Sequence, residues 1–362
     1  MTLILAVETS CDETSAAVVA GGVEIRSNII SSQVDVHRQY GGVVPEVASR
    51  KHLELVNHVI GQALSDAGVK YGDLSALAVT YGPGLVGALL VGVSTAKAMA
   101  FGLDLPLVGV NHLEGHIYAN FLVEPGLELP ALCLVVSGGH TDLVLIEGHG
   151  RYRVVGRSRD DAAGEAFDKV ARTMGLGYPG GPLIDRLARE GDGESIFLPR
   201  AYLEEGSYDF SFSGLKSAVI NFLHRAAQRG ETVDKANLAA GFQRAVVDVL
   251  VDKTVSAAGE LAVKTVLLAG GVAANSGLRE SLAGRAAARG LTLVAPPPVL
   301  CTDNAAMIAC AAHYRFLRGE RAPLTLNAVP DLRLGEERYE GNFKGRVMGK
   351  RRNYPQPMDK WL

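Results

Sequence analysis

Residues 3–19, LILAVETSCDETSAAVV, place an apolar run, a short turn of Ser, Thr, Asp and Cys, and a second apolar run in succession. Residues 131–147, ALCLVVSGGHTDLVLIE, repeat that plan. The runs are continuously apolar rather than alternating, which predicts strands buried on both faces. Each segment reads as a hairpin whose turn is rich in hydroxyls and backbone donors. A unit that recurs about 130 residues later indicates a duplicated lobe.

Outward from these hairpins, strands and helices alternate. Val47, Leu53, Leu55, Val56, Val59, Ile60, Ala63 and Leu64 fall at helical spacing in PEVASRKHLELVNHVIGQALSDAG (45–68). Strand-like SALAVT, the helix-like run Leu85–Phe101 and strand-like PLVGV follow. The second half continues with four helix-like segments between residues 163 and 261. A strand–turn–helix, TVLLAGGVAANSGLRESLAGRAAARG (265–290), and a short strand, LTLVAPP, precede the apolar helix DNAAMIACAAHYRFLRG. This alternation predicts an α/β fold. The Pro- and Glu-rich stretch VEPGLELP (123–130) is the expected boundary, giving lobes 1–128 and 129–325 and a basic, flexible tail 326–362.

At 362 residues the chain exceeds one ordinary core, so two lobes are the default. Its 48% apolar and 21% charged residues are a normal globular balance. A formal charge of −3 gives no global argument for nucleic acid. The tail gathers Lys344, Arg346, Lys350, Arg351 and Arg352; a solvated tail is the plain reading and a phosphate contact the sharper one. Cys11, Cys133, Cys301 and Cys310 form no CxxC pair and read as reduced thiols of a cytoplasmic protein. The N-terminus lacks the basic region of a signal peptide. No stretch is expected to span a membrane, because LVGALLVGVSTAKAMAF (85–101) is interrupted by Ser94, Thr95 and Lys97.

Three glycine loops compete as phosphate sites. Gly82, Gly84 and Gly87 have the GxGxxG spacing of a dinucleotide loop. They lie well inside the chain, and the next strand ends in Asn111 and His112 rather than a ribose-binding acid, so a tight turn with close packing is preferred. Gly138-Gly139 and Gly270-Gly271 each end an apolar strand, where a backbone without Cβ atoms can approach an anion or a purine. No GxxxxGK[ST] pattern is present, which argues against a P-loop enzyme.

In NHLEGHIYANF (111–121), His112 and His116 share one face if the segment is helical. Two imidazoles are too few to hold an ion, and a polar helix face explains the pair alone. Glu114 lies about 200° round the helix and cannot serve as the base of an HExxH peptidase. Asp303 is the candidate third ligand; its plainer role is to cap the following helix. His, His and Asp would leave open positions on Zn²⁺ or Fe²⁺.

Eight phrases now coincide in order: ETSCDETSAAVV, GGVVPEVASRKH, NHLEGHIYANF, VVSGGHTDLV, AFDKVARTMGLGYPGGPLID, FSFSGLKSA, AGGVAANSGLR and PPPVLCTDNAAMIA. From residue 3 to about residue 325 the chain resembles the tRNA N6-adenosine threonylcarbamoyltransferase family (TsaD), once labelled O-sialoglycoprotein endopeptidases. The resemblance implies an actin-like (ASKHA) fold of two RNase H-like lobes around a nucleotide cleft. It implies one divalent metal, Fe²⁺ or Zn²⁺, on His112, His116 and Asp303. It implies substrate contacts from Val135, Val136, Ser137, Gly138, Gly139, Asp168, Gly181, Asp185 and Asn275. The implied reaction moves a threonylcarbamoyl group from threonylcarbamoyl-AMP to N6 of adenosine 37 in tRNAs reading codons that begin with adenine. The implied bacterial partners are an actin-like paralogue (TsaB) and a small P-loop ATPase (TsaE). Glu13 and His140 are the side chains considered for the amine proton, neither of them assigned; Arg50 and Lys51 are considered for tRNA contact, though a solvated surface accounts for both. An ATP-binding scaffold without group transfer and a metallopeptidase are the alternative readings.

Overall fold

A computed structural model describes residues 1–204 and 206–336. Among the described residues, ten strands form two sheets. The first holds β1 (Leu3–Glu8), β2 (Glu13–Ala20), β3 (Glu24–Ser32), β4 (Ala76–Gly82) and β5 (Leu107–Asn111) in the order β3-β2-β1-β4-β5. The second holds β6 (Ala131–Val136), β7 (Thr141–Gly148), β8 (Arg151–Arg157), β9 (Thr265–Ala269) and β10 (Thr292–Val294) in the order β8-β7-β6-β9-β10. Adding five to each strand of the first order gives the second. The senses match too: β1-β2 and β6-β7 are antiparallel hairpins, while β1-β4 and β6-β9 are parallel. The third strand of each lobe, β3 or β8, is a polar edge that the sequence reading did not single out.

The helices are α1 (Val34–Arg38), α2 (Pro45–Ala67), α3 (Val86–Leu103), α4 (His112–Val123), α5 (Ala163–Thr173), α6 (Gly180–Ala188), α7 (Ser213–Gln228), α8 (Lys235–Glu260), α9 (Ser276–Ala288), α10 (Pro298–Cys301) and α11 (Ala305–Leu317). They make three layers around the two sheets. Helices α2 and α3 cover the outer face of the first sheet, and α5 to α9 cover that of the second. Between the sheets lies a two-helix layer of α4 and α11, in one apolar cluster with Ile4, Ala17, Val108, Cys133, Val144 and Leu267. Thus α11 comes from the end of the chain yet packs against the sheet of the first lobe.

A helix walled in on both sides must be buried all round, and α4 is: every residue from His112 to Phe121 is buried. Asn111, the last residue of β5, caps it by accepting from the N–H groups of Leu113 and Glu114. Gly115 lets α11 approach, because a Cβ there would meet Ile308 Cδ1 at 2.5 Å. Glu114 and Arg315 tie the same two helices with an ion pair of 2.9 Å, and Tyr152 donates to the carboxylate at 2.8 Å.

Two sequence expectations are corrected. Helix α3, expected to be too interrupted for a membrane span, has the length and apolar composition of one, with a mean hydropathy of 1.6. Its apolarity serves packing on β4: Ala88, Leu89, Val91, Val93 and Ala96 are buried, and Gly92 rests against Thr9 and Val79. The flexible tail was expected from residue 326, but Leu326 and Leu332 are buried and the Val329 N–H donates to the Tyr81 carbonyl at 2.7 Å. Lys344 to Arg352 lie outside the described residues.

The α4–α11 seam yields a stability test. Gly115→Val should lower unfolding free energy by about 1–3 kcal/mol through overpacking, read by chemical denaturation. Unchanged stability would mean that the seam has slack.

Candidate metal centre and substrate cleft

His112 and His116 stand on the first turns of α4, and Asp303 precedes α11. The seam just described therefore brings them together. Asp303 Oδ1 lies 3.4 Å from His112 Nε2 and 3.2 Å from His116 Nε2. Donors at 2.0–2.1 Å from a tetrahedral ion stand about 3.3 Å from one another, so this spacing suits one cation. Asp303 is free for the task because Asn304, not Asp303, caps α11, accepting from the Met307 N–H at 3.1 Å. The capping role considered from sequence belongs to the neighbour.

The surrounding groups favour positive charge. His112 Nδ1 faces Ser10 Oγ at 3.0 Å and Glu8 Oε2 at 3.2 Å, and the carboxylate fixes the ring proton on Nδ1, leaving Nε2 for a ligand. Burial opposes charge on His112, but Asp303 and Glu8 outweigh it and raise its pKa well above the ordinary value. Burial would push Asp303 up, yet His112 and His116 hold it far below the usual carboxylate range. His116 is depressed by burial and stays neutral. Neither of its nitrogens makes an aligned hydrogen bond, although it is 1% exposed. A buried imidazole whose Nε2 makes no aligned hydrogen bond, beside a carboxylate kept ionised, suits a cation at that nitrogen.

Glu8, which the sequence alone does not single out, joins the cluster through His112. It is fully buried at the end of β1, and it accepts from the Ser10 N–H and from Thr80 Oγ1, each at 2.5 Å. Its signal was a carboxylate closing an otherwise apolar strand. Glu114, by contrast, points to Arg315 and Tyr152, away from the cluster, as its position on the helix predicts.

The other candidates differ in what holds them. Ser137 closes its turn, its N–H donating to the His140 carbonyl at 2.8 Å. A Cβ added to Gly138, Gly139, Gly181 or Gly271 would meet no protein atom within 4 Å. These glycines answer to no packing need inside the chain. Gly270 does: its φ is +89° and a Cβ would strike the Val136 carbonyl at 2.4 Å. Val135 and Val136 are core side chains within β6. Asp168 Oδ1 accepts from the Gly180 N–H at 2.7 Å, and burial raises its carboxyl. Asp185 accepts from Ser276 Oγ at 2.7 Å. Asn275 caps α9 through the Leu278 N–H and donates to Gln243 at 2.7 Å. Burial, then His112 and His116, push His140 down to about 4, so it is a neutral and weak base. Burial, with Asp303 and Asp12, raises Glu13 well above an ordinary carboxyl.

The loop Gly82–Gly87 is packing, as its reading preferred. Gly84 lies against the Ser10 backbone, and Gly87 against Ser49. Arg50 and Lys51 make exposed ion pairs with Glu46 and Glu54 on α2. All four cysteines are free.

Glu8→Ala should weaken cation binding by about 10- to 100-fold. Glu114→Gln should leave affinity unchanged while costing about 1–3 kcal/mol of stability, because Arg315 loses its charge partner on α4 but keeps Glu320. Titration calorimetry and denaturation on the two variants check both; equal affinity loss in each would contradict the assigned roles.

Residues 24–310 match the model of tRNA N6-adenosine threonylcarbamoyltransferase, TsaD. Relatives bearing that name are 62% identical in Symbiobacterium thermophilum over 92% of this chain and 97% of theirs, and 61% identical in Moorella thermoacetica over the same shares. In Geobacillus thermodenitrificans the identity is 61% over 91% and 96%. Among solved structures, full-length HypF in a phosphate- and nucleotide-bound form aligns at a TM-score of 0.60 and 16% identity, over 88% of this chain and 47% of that one. HypF of T. kodakarensis aligns at 0.57 and 15%, over 88% and 48%. This chain thus spans about half the length of either HypF, and at such identity the likeness speaks to the fold alone, which is the actin-like α/β fold in two lobes. By its sequence over most of its length, the chain belongs to the tRNA N6-adenosine threonylcarbamoyltransferase family.

Proposed function

We propose that this protein transfers the threonylcarbamoyl group of threonylcarbamoyl-AMP to N6 of adenosine 37 in tRNAs that read codons beginning with adenine, releasing AMP. The observation that carries the reading is the convergence of His112, His116 and Asp303 beside glycine loops open to the cleft, in a chain 62% identical to a relative of that name.

The reaction is an acyl transfer from a mixed anhydride to a weak exocyclic amine. A bond forms from N6 to the carbamoyl carbon, the bond to the phosphate oxygen breaks, and the amine gives up a proton. Alignment and stabilisation of developing negative charge dominate such a step. Ser137, Gly138 and Gly139 offer a turn whose Cβ-free tip can approach the acyl phosphate. Asp168 and Asp185 keep acceptor capacity for ribose hydroxyls beyond the bonds they already accept. The Cβ-free face at Gly271 suits a flat purine, with Asn275 beside it. A divalent ion on His112, His116 and Asp303 would act as a Lewis acid toward an oxygen that gains charge. That donor set suits Zn²⁺ or Fe²⁺. Glu8 and Ser10 keep His112 oriented for the ion. Of the two groups considered for the amine proton, burial lowers His140 and raises Glu13, and neither is assigned. The reading carries cytoplasmic tRNA as the acceptor, and a TsaB-like paralogue and a TsaE-like ATPase as partners.

The metallopeptidase alternative lacks its general base, since Glu114 is consumed by Arg315. Purified protein supplied with threonylcarbamoyl-AMP, its partners and unmodified tRNA should yield N6-threonylcarbamoyladenosine, detected by mass of the digested nucleosides. His116→Ala should yield none while remaining folded. Full activity in metal-stripped His116→Ala protein would refute the reading.

A further inference from the structure

The turn between β1 and β2 is held by its carbonyls. Three in succession accept a hydrogen bond, each from a different element. The Leu85 N–H donates to the Ser10 carbonyl at 2.8 Å, and the Gln33 N–H to the Asp12 carbonyl at 3.0 Å. Between them, His52 Nε2 reaches the Cys11 carbonyl at 2.9 Å from α2. Two holders are backbone groups; the third is a side chain, and one whose proton could sit on either nitrogen.

A chain of buried groups decides where it sits. The Val44 N–H donates to His37 Nδ1 at 3.3 Å, so the proton of His37 is on Nε2. That nitrogen donates to Gln33 Oε1 at 3.3 Å, which turns the Gln33 amide so that its Nε2 faces His52 Nδ1 at 3.3 Å. Thr14 Oγ1 meets the same Nδ1 at 2.8 Å. His52 Nδ1 is therefore an acceptor, and its proton lies on Nε2, aimed at Cys11. Every bond runs one way, from Val44 to Cys11. Gln33, His37, His52 and Thr14 are all buried, and burial lowers the His52 pKa, which keeps the ring neutral as the chain requires.

A satisfied polar network could serve stability alone. This one ends beside the reaction centre. Ser10 Oγ touches the ligand His112, and Asp12 is buried on the next peptide but one. Because a peptide is planar, fixing the Cys11 carbonyl also fixes the Asp12 N–H that follows it. We propose that His52 is a positioning residue for the group transfer, setting the peptide planes of residues 10–12 against the His112, His116 and Asp303 centre through the Cys11 carbonyl. The proposal rests on the transferase reading above.

The test compares His52→Leu, which loses the donor, with His52→Gln, which keeps an N–H donor at similar reach. In metal-loaded protein with its partners, His52→Leu should lower kcat by about 10- to 100-fold with KM for tRNA within about twofold. His52→Gln should recover most of the loss, and both should retain the cation. In amide NMR spectra, the Cys11 and Asp12 signals should shift in His52→Leu and return in His52→Gln. Unchanged kcat in folded His52→Leu protein, or losses in both variants that merely follow folded fraction or metal content, would overturn the proposal. Should His52→Leu not fold, Gln33→Leu and Thr14→Val, which release Nδ1, should lower kcat in its place; full activity in both would overturn it equally. If the parent protein transfers nothing, the transferase reading fails, and amide signals of residues 11 and 12 that ignore these substitutions would overturn the positioning separately.

Discussion

The proposed cation site depends on how closely α4 and α11 approach between the two sheets. Two histidines near the start of one helix and an aspartate before the other share an ion only if those helix ends meet. Gly115 against Ile308 sets the separation, and Glu114 with Arg315 sets the register. The ion pair is buried on both sides, so it costs desolvation and contributes orientation more than net stability. Both sheets then clamp the pair through one shared apolar cluster.

Charge follows from this packing. The two helix N-termini carry partial positive charge, and Glu8 and Asp303 bring carboxylates into the same buried volume. Without a cation, His112 takes the positive role by holding a proton between them. A divalent ion held by His112, His116 and Asp303 would replace that proton with a stronger charge and could supply Lewis-acid chemistry there. At Gly138, Gly139 and Gly271 an added Cβ would meet no protein atom within 4 Å, so these turns leave room beside the backbone.

Much of this was legible in the chain because the signals were strong and local. Continuous apolar runs marked β1, β2, β6 and β7, and their repetition gave the duplication that the strand orders display. The spacing of His112 and His116 placed them on one helix face, and the turn before α11 pointed to Asp303. The edge strands β3 and β8 were harder, because EIRSNIISS and RYRVVGR face water and lack an apolar run. Glu8 escaped notice because its role is set by Thr80 and His112, each far away in sequence. The His37–Gln33–His52 relay is likewise invisible in one dimension, since its direction comes from hydrogen-bond geometry. Residues 326–336 read as tail, yet Leu326 and Leu332 find the sheet of the first lobe.

X-ray absorption at the metal edge, on protein loaded with a single equivalent of Zn²⁺ or Fe²⁺, tests the central claim most directly. The account expects two imidazole nitrogens and one carboxylate oxygen at about 2.0–2.2 Å, with one imidazole lost in His116→Ala. A shell containing thiolate sulfur, or an unchanged shell in His116→Ala, would contradict it.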